Sequence, residues 1–282
     1  MTHLPHTTFS AADIAAFMPE MKIGLLALVN DAGLPHLTLI STIRASSPTQ
    51  LTWGQFTEGL SKQFIRRHPQ VGFMVMTLNK EVWRGKATFT HTARQGPEYD
   101  AYNNIPMFRY NAYFGIHTVY YMDLAAHSGR QVLPMGQVIF SAVQTMLART
   151  LARKTQTPVL NMWTRRLLNK LDNLKFVSYV GEDGYPVIIP VIQAQALDTE
   201  RVIFAAGAFG DELRAIPKGV PLAVFGMSLS METVLLRGTF EGVRRIGGLP
   251  CGTVAVGWVY NPMPPKPEQI YPATALEAVR VF

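Results

Sequence analysis

Gly24-Leu25-Leu26-Ala27-Leu28-Val29 runs into Asn30-Asp31-Ala32-Gly33-Leu34-Pro35, which reads as an apolar strand, a glycine turn and the start of a second strand. Lys175-Phe176-Val177-Ser178-Tyr179-Val180 followed by Gly181-Glu182-Asp183-Gly184-Tyr185-Pro186 repeats that pattern. Gly33 and Gly184 stand 151 positions apart, and the offset persists without a gap. It sets Leu51-Thr52-Trp53-Gly54 against Val202-Ile203-Phe204-Ala205, and Val71-Gly72-Phe73-Met74-Val75-Met76 against Leu222-Ala223-Val224-Phe225-Gly226-Met227. Arg84-Gly85 then matches Arg237-Gly238 after a two-residue insertion. Register held over that distance marks a duplicated unit.

Each unit reads as strand, tight turn, strand, strand, short helix and two more strands. Gly33 and Gly184 supply the left-handed backbone a tight turn needs, each after an acidic segment that tolerates turn geometry. Strands of five to seven residues between such turns predict a small closed or partly closed barrel. The fold class is therefore mainly β with some helix (α+β): two tandem barrels forming a pseudo-dimer within one chain. Between them, Ile139, Val143, Leu147 and Leu151 recur every fourth position, a helix signal, and Pro158 separates this from a second, basic helical stretch, Leu160 to Lys170. The expected division is an N-terminal barrel over 1–133, a helical connector over 134–171 and a C-terminal barrel over 172–282.

Composition bounds the function. The chain has 282 residues, 48% hydrophobic and 16% charged, with no biased or like-charged run that would stay unfolded. A net charge of +7 favours an anionic partner: a phosphate ester, a nucleic acid or an acidic surface. One cysteine, Cys251, leaves no internal disulfide and no thiolate-rich metal site, and fits a reducing cytoplasm. Residues 1–20 lack the basic start and apolar core of a secretory signal, and the apolar stretch from Val138 to Leu151 is too short to cross a bilayer. The expected location is cytoplasmic, with no membrane partner. The connector is basic through Arg149, Arg153, Lys154, Arg165, Arg166 and Lys170, but beyond Trp163 it offers no aromatic platform, so nucleic acid is not the favoured partner. A basic nucleic-acid-binding protein stands third among the readings, to be recognised by binding that weakens steeply with salt.

The segment from Gln55 to Pro69 carries the chemistry. It follows a strand and opens an amphipathic helix, placing Ser61 and Lys62 at a helix start, where free N–H groups and the helix dipole attract a phosphate. Ser61 can donate a hydroxyl hydrogen bond and Lys62 adds a point charge. In the second repeat the same offset gives Glu212 and Leu213, preceded by Asp211. A carboxylate there satisfies the free N–H groups itself and repels a phosphate. The first repeat is thus expected to hold an anion and the second to refuse one. Ser41 and Thr42, replaced by Ile192 and Gln193, point the same way.

These segments resemble the FMN-binding split-barrel flavoproteins, the superfamily of pyridoxamine 5′-phosphate oxidase. The resemblance rests on Gly33 and Pro35, on the run from Leu51 to Phe64 closed by His68-Pro69, and on the Arg84-Gly85 strand. It implies that two barrels pair, here in one chain, with FMN at their interface. Carried over by position, it places Thr38, Ser41 and Thr42 near the phosphate or ring, Trp53, Gly54 and Gln55 on the third strand, and Ser61, Lys62 and Gln63 around the phosphate. Trp258 and Tyr260 are the candidate covering aromatics. The chain departs from the oxidase itself: the basic residue expected near Thr38 is absent, only Arg44 following further along, and the C-terminal substrate pattern is not intact. The resemblance therefore implies a cofactor without naming a substrate.

The functional expectation is an FMN-dependent oxidoreductase of a small-molecule substrate, with a nicotinamide cofactor as candidate electron donor and a homodimer as candidate assembly. No side chain is singled out as an acid or base. The alternative is a non-catalytic flavin- or haem-binding sensor on the same fold, a deazaflavin being a further ligand of such barrels. His36, His91, His117 and His127 show no metal-ligand spacing, and no metal is expected. The aromatic run Tyr99, Tyr102, Phe108, Tyr110, Tyr113, Phe114, Tyr120 and Tyr121 reads as packing or as a pocket wall.

Overall fold

The computed structural model describes residues 4–105, 115–263 and 267–275. The first half builds β1 (Lys22–Val29), β2 (Pro35–Leu39), β3 (Arg44–Ser47), β4 (Gln50–Gln55), β5 (Gln70–Thr77), β6 (Glu81–Ala93), β7 (Thr118–His127) and β8 (Gln131–Val132). Helices α1 (Ala11–Phe17), α2 (Leu60–Arg67) and α3 (Pro97–Asn103) lie among them. Helices α4 (Met135–Leu151) and α5 (Met162–Asn169) follow. The second half builds β9 (Leu174–Val180), β10 (Pro186–Pro190), β11 (Gln195–Ala196), β12 (Arg201–Ala205), α6 (Gly210–Ala215), β13 (Pro221–Met227), β14 (Thr233–Ile246), β15 (Leu249–Asn261) and β16 (Glu268–Tyr271).

Each half forms an eight-stranded antiparallel sheet. The first runs β2-β1-β5-β6-β7-β4-β3, with β8 on β6. The second runs β10-β9-β13-β14-β15-β12-β11, with β16 on β15. The two orders superpose term for term, so the duplication read from the sequence is a duplication of topology. The turn glycines behave as expected, with φ of 73° at Gly33 and 80° at Gly184. The reading of five strands per unit missed three in each half: the small β3 and β11, the long β7 and β15, and the short β8 and β16. Several strands also exceed seven residues, β14 reaching 14. Such strands belong to two parts of the sheet at once, bending at register shifts such as those at Lys86/Ala87 and Phe89/His91 in β6.

The cores explain which faces are apolar. One cluster, with Leu26, Leu28, Leu51, Trp53, Phe73 and Trp83, fills the first barrel, and another, with Val177, Phe204, Leu213, Leu236 and Val254, fills the second. A third joins the halves: Leu25, Leu37, Met74 and Met76 pack with Phe176, Ile188, Phe225 and Tyr260. The strands β1, β2, β5 and their counterparts are thus apolar on both faces, one toward their own barrel and one toward the other. Closing helps: α1 starts at a capping box, Ser10 with Asp13, and Asp13 also accepts the indole N–H of Trp83 at 2.7 Å.

Where the barrels touch most closely, Gly72 on β5 faces the backbone of β10, and a Cβ there would collide with the carbonyl oxygen of Pro186. Backbone cannot retreat as a side-chain tip can. Gly72→Ala is expected to loosen the contact between the halves and to lower stability by about 1–3 kcal/mol, the usual cost of overpacking. Chemical denaturation of the two proteins checks this; equal midpoints would contradict it.

Of the aromatic run, Tyr102, Tyr120 and Tyr121 pack rather than line a pocket. Tyr120 stacks on Trp53 at 4.0 Å, Tyr102 is buried with its hydroxyl donating to the Thr42 carbonyl at 3.0 Å, and Tyr121 stacks on His91 at 4.4 Å. Phe108, Tyr110, Tyr113 and Phe114 lie outside the described residues.

Candidate functional site at the barrel interface

Helix α2 begins after Gly59, whose extended backbone offers no side-chain cap, so its first N–H groups are not taken by a capping residue. Ser61 is buried there, and among the described residues its hydroxyl makes no hydrogen bond. Lys62 is half-buried and has no ion-pair partner among them; burial holds its ammonium below the usual lysine range, an effect Glu58 only partly offsets. From the other barrel, Arg237 on β14 comes to the same interface. Its guanidinium lies over the Trp258 ring at 3.6 Å, its Nε is buried without a hydrogen-bond partner, and burial lowers its pKa to about 10.

His36 on β2 lies between these groups. It is 3% exposed, packs edge-on to Phe64 at 5.2 Å, and its Nδ1 has no partner. Burial, with Arg237 and Lys62 adding to it, pulls the imidazole down to about 3. The interface here holds two cations, a neutral imidazole and a free hydroxyl, and among the described residues no carboxylate pairs with either cation.

The duplicated position on the other side is filled. Arg84, the counterpart of Arg237, is 3% exposed and donates from Nη1 and Nη2 to Glu212 at 2.8 and 2.9 Å. Glu212 is the counterpart of Ser61 at the start of α6. One half thus reaches the helix start of the other with an arginine, and in this second case the helix itself brings the anion. Lys86 pairs with Asp183, and Thr88 meets the Tyr185 hydroxyl at 2.7 Å, tightening this interface further. The two repeats differ here: Arg84 meets a carboxylate at the start of α6, whereas Arg237 lies over Trp258 and shares with Lys62 the neighbourhood of His36.

The remaining sequence candidates divide. Thr38 and Ser41 are half-buried near the end of β2, and Gln63 is exposed on α2. Thr42, Trp53, Gly54 and Gln55 are buried and bonded or stacked within the first barrel. The Thr42 hydroxyl donates to the Gly54 carbonyl at 3.0 Å and accepts the Gly54 N–H at 3.1 Å, pinning β4. Gln193 does the same work in the second barrel, donating to the Ala205 carbonyl at 3.0 Å. Trp53 is in the core on Tyr120, and Gln55 accepts from the Tyr120 hydroxyl at 2.9 Å while donating to Glu58 at 2.7 Å. Strand position alone could not tell inward from outward there. Trp258 does stand at the interface, though its ring is already engaged by Arg237 and by Tyr260 at 5.3 Å. Leu213, matched to Lys62 by offset, is core. Arg237 and His36 were missed as site residues; the matched Arg84-Gly85 and Arg237-Gly238 pairs were the available signal.

A cavity of about 350 Å³ opens on the Arg84 side, walled by Tyr179, Val180, Pro186, Val187, Ile188 and Pro217 among others. On the Ser61 side the positions of Val187 and Ala215 carry the larger His36 and Phe64, whose rings pack against each other. Among the described residues no group of three or more His, Cys, Asp or Glu is placed to hold a metal, and no helix is long and apolar enough to cross a membrane. Cys251 is buried, its thiol pushed up to about 11.

No protein-family model matches the chain, and the search of curated proteins returned no match. Among solved structures, an FMN-binding protein from Syntrophomonas wolfei is similar at 14% identity and a TM-score of 0.32, over 37% of this chain and 74% of that one. HupZ from Group A Streptococcus is similar at 12% identity and 0.35, over 42% of this chain and 92% of that one. An FAD-binding protein from Mesorhizobium loti is similar at 14% identity and 0.31, over 43% and 94%. In fold, the chain is a tandem pair of antiparallel eight-stranded units of matching strand order.

His36 makes the interface sensitive to acid. The unfolded chain takes up a proton on this residue near pH 6.5, whereas the folded chain holds it neutral down to about 3. The unfolded state therefore binds more protons between those values, and stability falls as pH drops through that window. His36→Val, the residue of the second repeat at Val187, is expected to flatten that loss. Melting temperatures of both proteins from about pH 7 to 4 test it; parallel curves would contradict it.

Proposed function

We propose that the chain binds one phosphorylated flavin, FMN, between its barrels, with the phosphate at the start of α2, and works as a flavin-dependent oxidoreductase on a small-molecule substrate. The observation that carries this reading is the unequal pair of interface arginines: Arg84 is satisfied by Glu212, whereas Arg237 has no carboxylate partner among the described residues and acts, together with Lys62 of the α2 start, on the buried His36. A carboxylate on one side marks the place where an anion belongs on the other. The residues fit a phosphate: Ser61 donates its hydroxyl, the free N–H groups of α2 point outward, and Lys62 and Arg237 neutralise the charge. Two desolvated cations, of which only Lys62 feels a nearby carboxylate, Glu58, are costly unless a ligand supplies further negative charge.

When bound, the flavin ring supplies the electron chemistry, and the protein supplies position and electrostatics. Lys62 and Arg237 fix the ligand's phosphate end, and His36, neutral at physiological pH, can accept or donate one hydrogen bond through its free Nδ1 without adding charge. Phe64 and Trp258 keep water from the far side of the cations. Mass spectrometry of the small molecule released from purified, denatured protein tests the reading. FMN, one per chain, supports it; a ligand without phosphate overturns it.

The cavity beside Arg84 favours a second reading: a non-catalytic sensor or binding protein for flavin or haem, its ring system against the cavity walls. Glu212 has already neutralised Arg84 there, and the walls are largely apolar. A bound flavin that neither nicotinamide cofactor reduces would favour this non-catalytic role, as would a haem absorption band.

A further inference from the structure

Helix α4 is turned inside out. The face it lays on the second barrel is Val138, Ser141, Thr145 and Ala148, all buried, where the Ser141 hydroxyl accepts the Ala208 N–H at 3.0 Å and that of Thr145 accepts the Ala205 N–H at 2.9 Å. The face it turns outward is Ile139, Phe140, Val143, Met146, Leu147 and Leu151, with Phe140 64% and Leu151 63% exposed. A helix packed on a barrel is expected to do the reverse. An apolar strip of this kind on an outer surface marks something that covers it.

The charge around the strip says what. Arg149 is the one charged residue of α4, and Arg153 and Lys154 follow it, exposed. Exposed Arg245 stands on the β14–β15 hairpin, whose Gly247 abuts Leu151. From residue 124 to residue 171 the chain has no Asp or Glu. We propose that α4 is an interfacial helix seating the protein on an anionic lipid surface, with its apolar face at the headgroup boundary and Arg153, Lys154 and Arg245 against lipid phosphates. The sequence set the membrane aside because no segment can cross one; lying along the surface needs only one apolar face and a cationic rim.

A second copy of the chain covers the strip poorly. A helix of 17 residues is about 26 Å long and presents on the order of 250 Å², against about 800 Å² per partner in a stable complex. A facing copy of α4 would also bring the same cations and no acid. Nucleic acid would answer the cations but leave the aliphatic side chains uncovered.

Sedimentation with vesicles tests this, using phosphatidylcholine alone and phosphatidylcholine with about one third phosphatidylglycerol. The protein should sediment with the anionic vesicles, little with the neutral ones, and less as salt rises. Leu147→Glu, whose side chain is exposed and whose melting temperature should be unchanged, should weaken the association roughly tenfold, and the pair Arg153→Glu with Lys154→Glu by at least as much. Lys62→Glu should leave it unchanged, which separates this inference from the cofactor reading. Lack of association with anionic vesicles, insensitivity to these variants, a dimer that Leu147→Glu dissolves, or an oligonucleotide complex in place of the lipid one would each overturn it.

Discussion

Lys62→Glu is expected to strip the protein of its phosphorylated ligand. The substitution puts a carboxylate at the helix start beside Ser61, where the proposed phosphate would sit, so that start comes to resemble that of α6, where Glu212 answers Arg84. Removing or opposing a desolvated charge partner costs about 2–5 kcal/mol, which is a loss of roughly 30-fold to several thousand-fold in affinity. The control is Arg67→Glu, on the same helix but exposed and facing Asp31, which changes the net charge equally and should leave retention intact. Equilibrium dialysis against FMN reads both. Equal retention in the two variants would remove the phosphate from α2 and leave the cavity beside Arg84 as the better site.

Glu212→Ala should be the most damaging single change at the opposite interface. It leaves Arg84, 3% exposed, buried without its carboxylate, and breaking a buried pair from one side costs about 3–5 kcal/mol. For a chain of this size that is a drop on the order of 10 °C in melting temperature. Two companions make the cause legible. Arg84→Met with Glu212→Leu removes both charges and should recover much of the loss, since an apolar pair of similar volume replaces a buried ion pair at little cost. Inorganic phosphate should raise the melting temperature of Glu212→Ala more than that of the unaltered protein, because the vacated carboxylate position would then admit an anion between Arg84 and α6. A melting temperature for Glu212→Ala within a degree or two of the parent would show that the pair is not holding the halves together.

Much of the site was written in the repeat. Ser61 and Lys62 against Glu212 and Leu213 could be read by offset, because a helix start after a strand is a local feature. The surroundings of Thr42, Trp53, Gly54 and Gln55 were not legible because a strand with polar and apolar residues on both faces does not say what each face meets; Tyr102 and Tyr120, far along the chain, bond and stack there. His36 read as an unremarkable histidine, since its neighbours Phe64, Lys62 and Arg237 come from two other elements and another barrel.

What the sequence determined by itself was periodic and local: two copies of one strand order, their glycine turns, the helix between them, and the loss of the hydroxyl and ammonium in the later copy. These follow from backbone preference and side-chain alternation, which act over a few residues. The tertiary structure alone decided which arginine meets which helix start, as with Arg84 and Glu212, 128 positions apart, and which way α4 turns its apolar face. Periodicity tells which side chains share a face; only the packed neighbours decide whether that face meets core, another barrel or the outside.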